Sequence, residues 1–138
     1  MNSREEATYR LKLAQGHLNS AEKLYDISLW SESASSSQLS VENSAKAVIV
    51  LFKPIVKAHD LAAALLDLED GFQTAEEQRD LERLASFAQR LGLKEHILTS
   101  YGDEVAYKTP WEIYDEDKAK RALTIAQEAF QIARALLR

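Results

Sequence analysis

Residues 31–54 read SESASSSQLSVENSAKAVIVLFKP. Ala34, Gln38, Val41, Ala45, Val48 and Phe52 recur at spacings of three and four, which places them on one face of a helix with 3.6 residues per turn. The period runs unbroken through the serine-rich first half, so the stretch reads as a helix over about Glu32 to Lys53; a serine-rich linker is the alternative. Small side chains let helix axes approach closely, which marks SESASSSQLS as the crossing point between two long helices. Lys53 precedes Pro54, whose ring opposes further helix, and the segment is expected to stop there.

The same periodicity organises the flanks. Upstream, about Arg4 to Asp26, it falls on Ala7, Leu11, Ala14, Leu18, Ala21 and Tyr25. Downstream, Asp60 is placed to cap a short helix bearing Leu61, Leu65 and Leu68, which Gly71 ends. Thr74 and Glu77 form a T-x-x-E capping box before a helix carrying Leu81, Leu84, Ala88 and Leu91, with Gly92 at its exit. Residues 93–114 read as irregular, apart from a turn of helix over LKEHILTS. Asp115 opens a last helix in which Ala119, Ala122, Ala126, Ala129, Ala133 and Leu136 make a stripe suited to intimate packing against the first two. No long alternation of period two exists to build a sheet. The expected fold is all-α: an up-and-down bundle of about five helices forming one domain over residues 1–138.

Composition agrees. Four glycines and two prolines in 138 residues leave few places to turn, and the absence of cysteine excludes disulfides, iron–sulfur clusters and thiol nucleophiles. The first residues, MNSREEATYRLKL, scatter charge where a leader would be apolar, and no run of about eighteen apolar residues occurs. A cytoplasmic location and no contact with membrane are expected. With a net charge of −5, any contact with a polyanion has to come from a local patch. The three histidines lack metal-ligand spacing, and no metal or cofactor is expected.

Four features bear on chemistry. Glu42 and Lys46 stand one helical turn apart in the favourable order, either as a surface pair or lining a polar groove. His59, beside Asp60, serves either a helix start or that groove. Arg90 and His96 form R-x5-H, the pair a metal-independent ribonuclease needs: histidine as acid or base, arginine as phosphate stabiliser. On a continuous helix they would lie roughly 120° apart, and Gly92 between them changes that relation. Finally, YGDEVAYKTPWEIY is rich in aromatics, and Tyr101, Tyr107, Trp111 and Tyr114 either fold back over the open end of the bundle or stack on bases.

The order of these features resembles the HEPN family, the higher eukaryote and prokaryote nucleotide-binding domain. RLKLAQGHLNSAEKLYD is similar to its first helix, and S-V-E-N-S-A-K-A to its second, where the family carries a glutamate and lysine as Glu42 and Lys46 do here. An H-D-L start at His59, then YGDE, then a proline before W-E-I-Y and an alanine-rich final helix extend the likeness over essentially the whole chain. The resemblance implies a helical bundle, usually a homodimer, often paired with a small nucleotidyltransferase in toxin–antitoxin-type systems. Many such proteins are ribonucleases with R-x4–6-H and a tyrosine two residues before the histidine; here that position is Lys94. The expectation is an accessory protein that engages a nucleotide, an RNA or a nucleotidyltransferase through a groove including Glu42, Lys46, His59 and Tyr101. The alternative is an endoribonuclease using Arg90 and His96.

Overall fold

The computed structural model describes residues 2–54 and 60–138. Helix α1, Ser3–Asp26, starts where the Asn2 side chain accepts a hydrogen bond from the Glu5 amide at 2.8 Å, satisfying one of the free N–H groups of the first turn. It ends in a Schellman motif. The amide of Leu29 reaches the Leu24 carbonyl, that of Ser28 reaches Tyr25, and Ser28 takes the left-handed conformation at φ 63°. The chain thus reverses within three residues and enters α2, Trp30–Val50.

Fourteen of the 21 residues in α2 are buried, so it is the central helix and is covered on most sides. Against α1 the covering is made of small side chains: Ala7, Ala14 and Ala21 on one helix, Ser33, Ala34, Ser37, Ser40 and Ser44 on the other. Two of the serines bridge the seam. Ser33 donates to the Ala21 carbonyl and Ser40 to the Ala14 carbonyl, each at 2.8 Å, seven residues apart on both helices and running in opposite directions. The hydroxyls of Ser37 and Ser44 are buried but bond to nothing among the described residues, so these two act as spacers. The serine-rich half is therefore the helix crossing that its period predicts, and not a linker.

The end of α2 falls earlier than Pro54 implies. Its last residue is Val50, and Leu51 to Lys53 form a turn in which the Lys53 amide still reaches the Ile49 carbonyl. The start is earlier too, at Trp30, because the Schellman turn delivers a helical backbone before the apolar period begins. Phe52 sits in that turn, half exposed, edge-on to buried Phe72 at 5.3 Å.

Helix α3, Leu61–Leu66, is capped by Asp60 through the Ala63 amide, and a single 3₁₀ turn, Glu69–Gly71, leads to α4, Ala75–Arg90. The Thr74–Glu77 capping box is formed in both directions. Residues 93–114 are more ordered than their composition implies: Leu93–Tyr101 is a nine-residue helix, α5, and Pro110–Ile113 is one turn, α6. Proline at the first helical position and Glu112 accepting from the Thr109 amide and hydroxyl account for α6. Helix α7, Glu116–Leu136, is capped by Asp115 and lays its alanine stripe against α2 and α1. One apolar core runs from Ala7 to Leu137, and no described helix is long and apolar enough to cross a membrane.

Two substitutions test this reading. Ser28→Gly relieves a left-handed conformation that costs L-residues roughly 1–2 kcal/mol, and thermal unfolding should show a gain of about 0.5–1 kcal/mol after glycine's own entropic cost. Ser40→Val, at a fully buried position of the seam, should lower stability by about 1–3 kcal/mol through overpacking and loss of the bond to the Ala14 carbonyl.

Candidate functional site

Gln38, Val41 and Glu42 occupy i, i+3 and i+4 of α2 and so share one face. Opposite them the chain passes from α4 straight into α5 at Gly92. A Cβ at Gly92 would lie 2.9 Å from the Ala88 carbonyl oxygen, so only glycine lets α5 begin so close to the last turn of α4. The start of α3 closes the third side. Together these elements enclose a cleft of about 380 Å³.

Its walls are mixed. Val41, Leu61, Leu91 and Leu93 supply apolar surface, while Gln38, Glu42, Asp60 and His96 supply polar groups. Glu42 is held by Lys46, whose Nζ is 3.4 Å from its carboxylate, in a half-buried pair. Asp60 is already engaged at the Ala63 amide. Gln38 is 3% exposed, and its Oε1 has no hydrogen-bond partner among the described residues. It shares that state with the buried hydroxyls of Ser37 and Ser44 on the same helix. At the α5 rim, Gly92 has no side chain to cap the first turn, which leaves amide groups and the positive end of the helix dipole facing outward.

The structure brings Glu42 and His96 to one cleft, with Lys46 bracing Glu42. It does not bring Arg90 and His96 together. Arg90 is the last residue of α4 and opens into neighbouring grooves with Lys94, Lys118, Lys120 and Arg121. His96 lines the cleft, where Arg90 does not. His59 lies outside the described residues. Tyr101 ends α5, 67% exposed, and does not line the cleft.

Those neighbouring grooves form the local positive patch that an acidic chain needs for any polyanion. Their acids are occupied: Asp117 by Arg121, Glu128 by Arg83 at 2.9 Å, and Glu95 by the Tyr114 hydroxyl at 2.8 Å. Arg90, Lys94 and Lys120 have no acidic partner among the described residues. Reading along the chain misses this patch because its members are up to 31 positions apart. Gln38 is legible only as a member of the buried face, through its register with Ala34 and Val41.

Of the two readings of the aromatic segment, folding back over the bundle holds for Tyr114, 6% exposed, and in part for Trp111, whose indole donates to Glu32 of α2 at 3.4 Å while its ring stays 69% exposed; Tyr101 and Tyr107 stand 67% and 91% exposed. Burial and the acceptor Glu95 push the Tyr114 phenol well above the ordinary tyrosine range. Among the described residues no group of three or more histidine, cysteine, aspartate or glutamate side chains is placed to hold a metal ion.

A family model described as HEPN domain matches residues 7–136. Among solved structures, that of TT1696 from Thermus thermophilus superposes with a TM-score of 0.71, covering 99% of each chain at 20% identity, a likeness of fold. No curated protein matches the chain.

Spectrophotometric titration offers a check on the buried phenol. Folded protein keeps Tyr114 protonated beyond the pH, about 10, at which an unfolded tyrosine ionises, so the unfolded chain loses its proton first and stability falls as pH rises past that point. One of the five tyrosines should ionise late, and Tyr114→Phe should remove that late phase. The substitution should cost about 1 kcal/mol at neutral pH through loss of the bond to Glu95.

Proposed function

The chain belongs to the HEPN domain family, and from that premise we propose that it is an accessory, binding member: a homodimer that holds a nucleotide in the cleft between α2, α4 and α5. Its working partner is an RNA or a small nucleotidyltransferase, as in a toxin–antitoxin pair. The observation that carries this is a cleft of ligand size whose walls join apolar side chains to the polar groups of Gln38, Glu42 and His96. A side-chain amide can pair with the edge of a base, the leucine and valine walls suit its faces, and the uncapped start of α5 favours a phosphate. Glu42, steadied by Lys46, and His96 add polar contacts at the rim.

Cleavage would need His96 and Arg90 on the same phosphodiester, one moving a proton while the other stabilises charge on phosphorus. Their placement in separate grooves favours binding over an endoribonuclease built on this pair.

Calorimetric titration with nucleoside mono- and triphosphates should show saturable binding by the wild type. Gln38→Leu and Glu42→Ala should each weaken it at least tenfold while circular dichroism stays unchanged; no binding by the wild type to any nucleotide would sink the proposal. A parallel incubation with mixed-sequence RNA in EDTA should show no cleavage. EDTA-resistant cleavage lost in both Arg90→Ala and His96→Ala would replace the binding reading with the ribonuclease one.

A further inference from the structure

The cations beside the end of α4 border a groove with an apolar floor. Two depressions of about 350 Å³ each adjoin there, sharing Arg90, Arg121 and Ile125. Along their rims Arg90, Lys94, Lys118, Lys120 and Arg121 outnumber the carboxylates of Glu95, Asp117 and Glu128, a local reversal of sign on a chain of net charge −5. Between the rims lie Phe87 from α4, Leu98 from α5, Ile113 from α6, and Ala122 and Ile125 from α7.

The walls of this groove are tied to one another. Arg83 of α4 holds Glu128 of α7 at 2.9 Å, the Tyr114 hydroxyl donates to Glu95 of α5 at 2.8 Å, and Lys118 Nζ donates to the Ile113 carbonyl at 3.1 Å. With Arg121 on Asp117, these bonds engage every carboxylate in the groove, while Arg90, Lys94 and Lys120 have no acidic partner among the described residues. A groove whose walls are fixed in advance loses little conformational freedom when it is filled.

We propose that this groove docks an acidic amphipathic segment of a partner protein, with apolar side chains on the floor and carboxylates against Arg90, Lys94 and Lys120. The mixture of floor and rim selects the occupant. An amphipathic helix laid in a groove needs an apolar floor and takes its register from charges at the edge. A nucleic acid carries a phosphate on every residue and stacks its bases on open rings. Here its uniform charge would run past Glu95, Asp117 and Glu128, and the two rings in the groove, Phe87 and Tyr114, are only 8% and 6% exposed. A peptide can set carboxylates opposite the free cations and apolar residues opposite the acids. The groove is also separate from the nucleotide cleft: Lys94, Glu95 and Leu98 line it from one flank of α5, Leu93 and His96 line the cleft from the other, and the inference stands apart from the cleft's ligand.

The probe is a fluorescein-labelled peptide of about sixteen residues with leucine at i, i+3, i+4 and i+7 and glutamate elsewhere, titrated with the full chain and read by anisotropy. It should bind saturably, and more weakly as salt rises. Arg90→Glu and Lys120→Glu should each weaken it at least tenfold with unchanged helical circular dichroism, whereas Lys12→Glu, an exposed lysine on α1, should keep wild-type affinity. Replacing the leucines by serine should weaken binding at least tenfold as well; equal binding by the serine peptide would reduce the groove to a bare charge patch and overturn the proposal. No binding by the wild type, or binding that survives both charge reversals, overturns it too. So does a mixed-sequence RNA that displaces the peptide at lower concentration than unlabelled peptide does and loses affinity in the same two variants, which would make the groove a nucleic-acid site.

Discussion

The close approach of α1 and α2 is the constraint from which the rest of the molecule follows. Alanine and serine at the seam let the two backbones come near enough for serine hydroxyls on one helix to reach main-chain carbonyls on the other. A larger side chain anywhere along that line would push the axes apart and break both bonds. Once α2 is pinned in this way its remaining faces are committed. The alanine stripe of α7 covers one, and α3, α4 and α5 meet around another. The cleft exists because the covering of that last face is incomplete, with Gln38 and Glu42 at its floor and edge.

How much of this can be read along the chain depends on the distance over which the cause acts. Caps are decided within four residues, and Asp60, Thr74 and Asp115 each cap where sequence places them. The long helices follow from periodicity, and the domain match and the superposition over the whole chain agree with the resemblance. Residues 93–114 mislead because α5 buries none of its side chains, so its apolar residues do not report a core-facing stripe, and because α6 is held by one proline and one capping pair. The ends of α2 are displaced by turn geometry, namely Ser28 in its left-handed conformation and the turn before Pro54.

The candidate site is legible in fragments. Glu42 and Lys46 are neighbours on a helix, so their pairing is visible; whether the pair faces solvent or a groove depends on α4 and α5, distant in sequence. Arg90 and His96 illustrate the reverse hazard. Their spacing suggests a shared site, but a glycine between them turns the chain and sends them to different grooves. Gln38 gives no chemical signal at all, because a polar residue in an apolar register is meaningful only once its missing partner is known.

The three-residue reversal between α1 and α2 also orders events in time. The largest helix pairing in the molecule joins segments adjacent in sequence, so its loop closure is short and its contacts are local, the circumstances in which folding is fast. During synthesis the α1–α2 hairpin is complete while α7 is still to be made. Through that interval the side of α2 that α7 will cover stays open, so the last helix to be made is the one that completes the core.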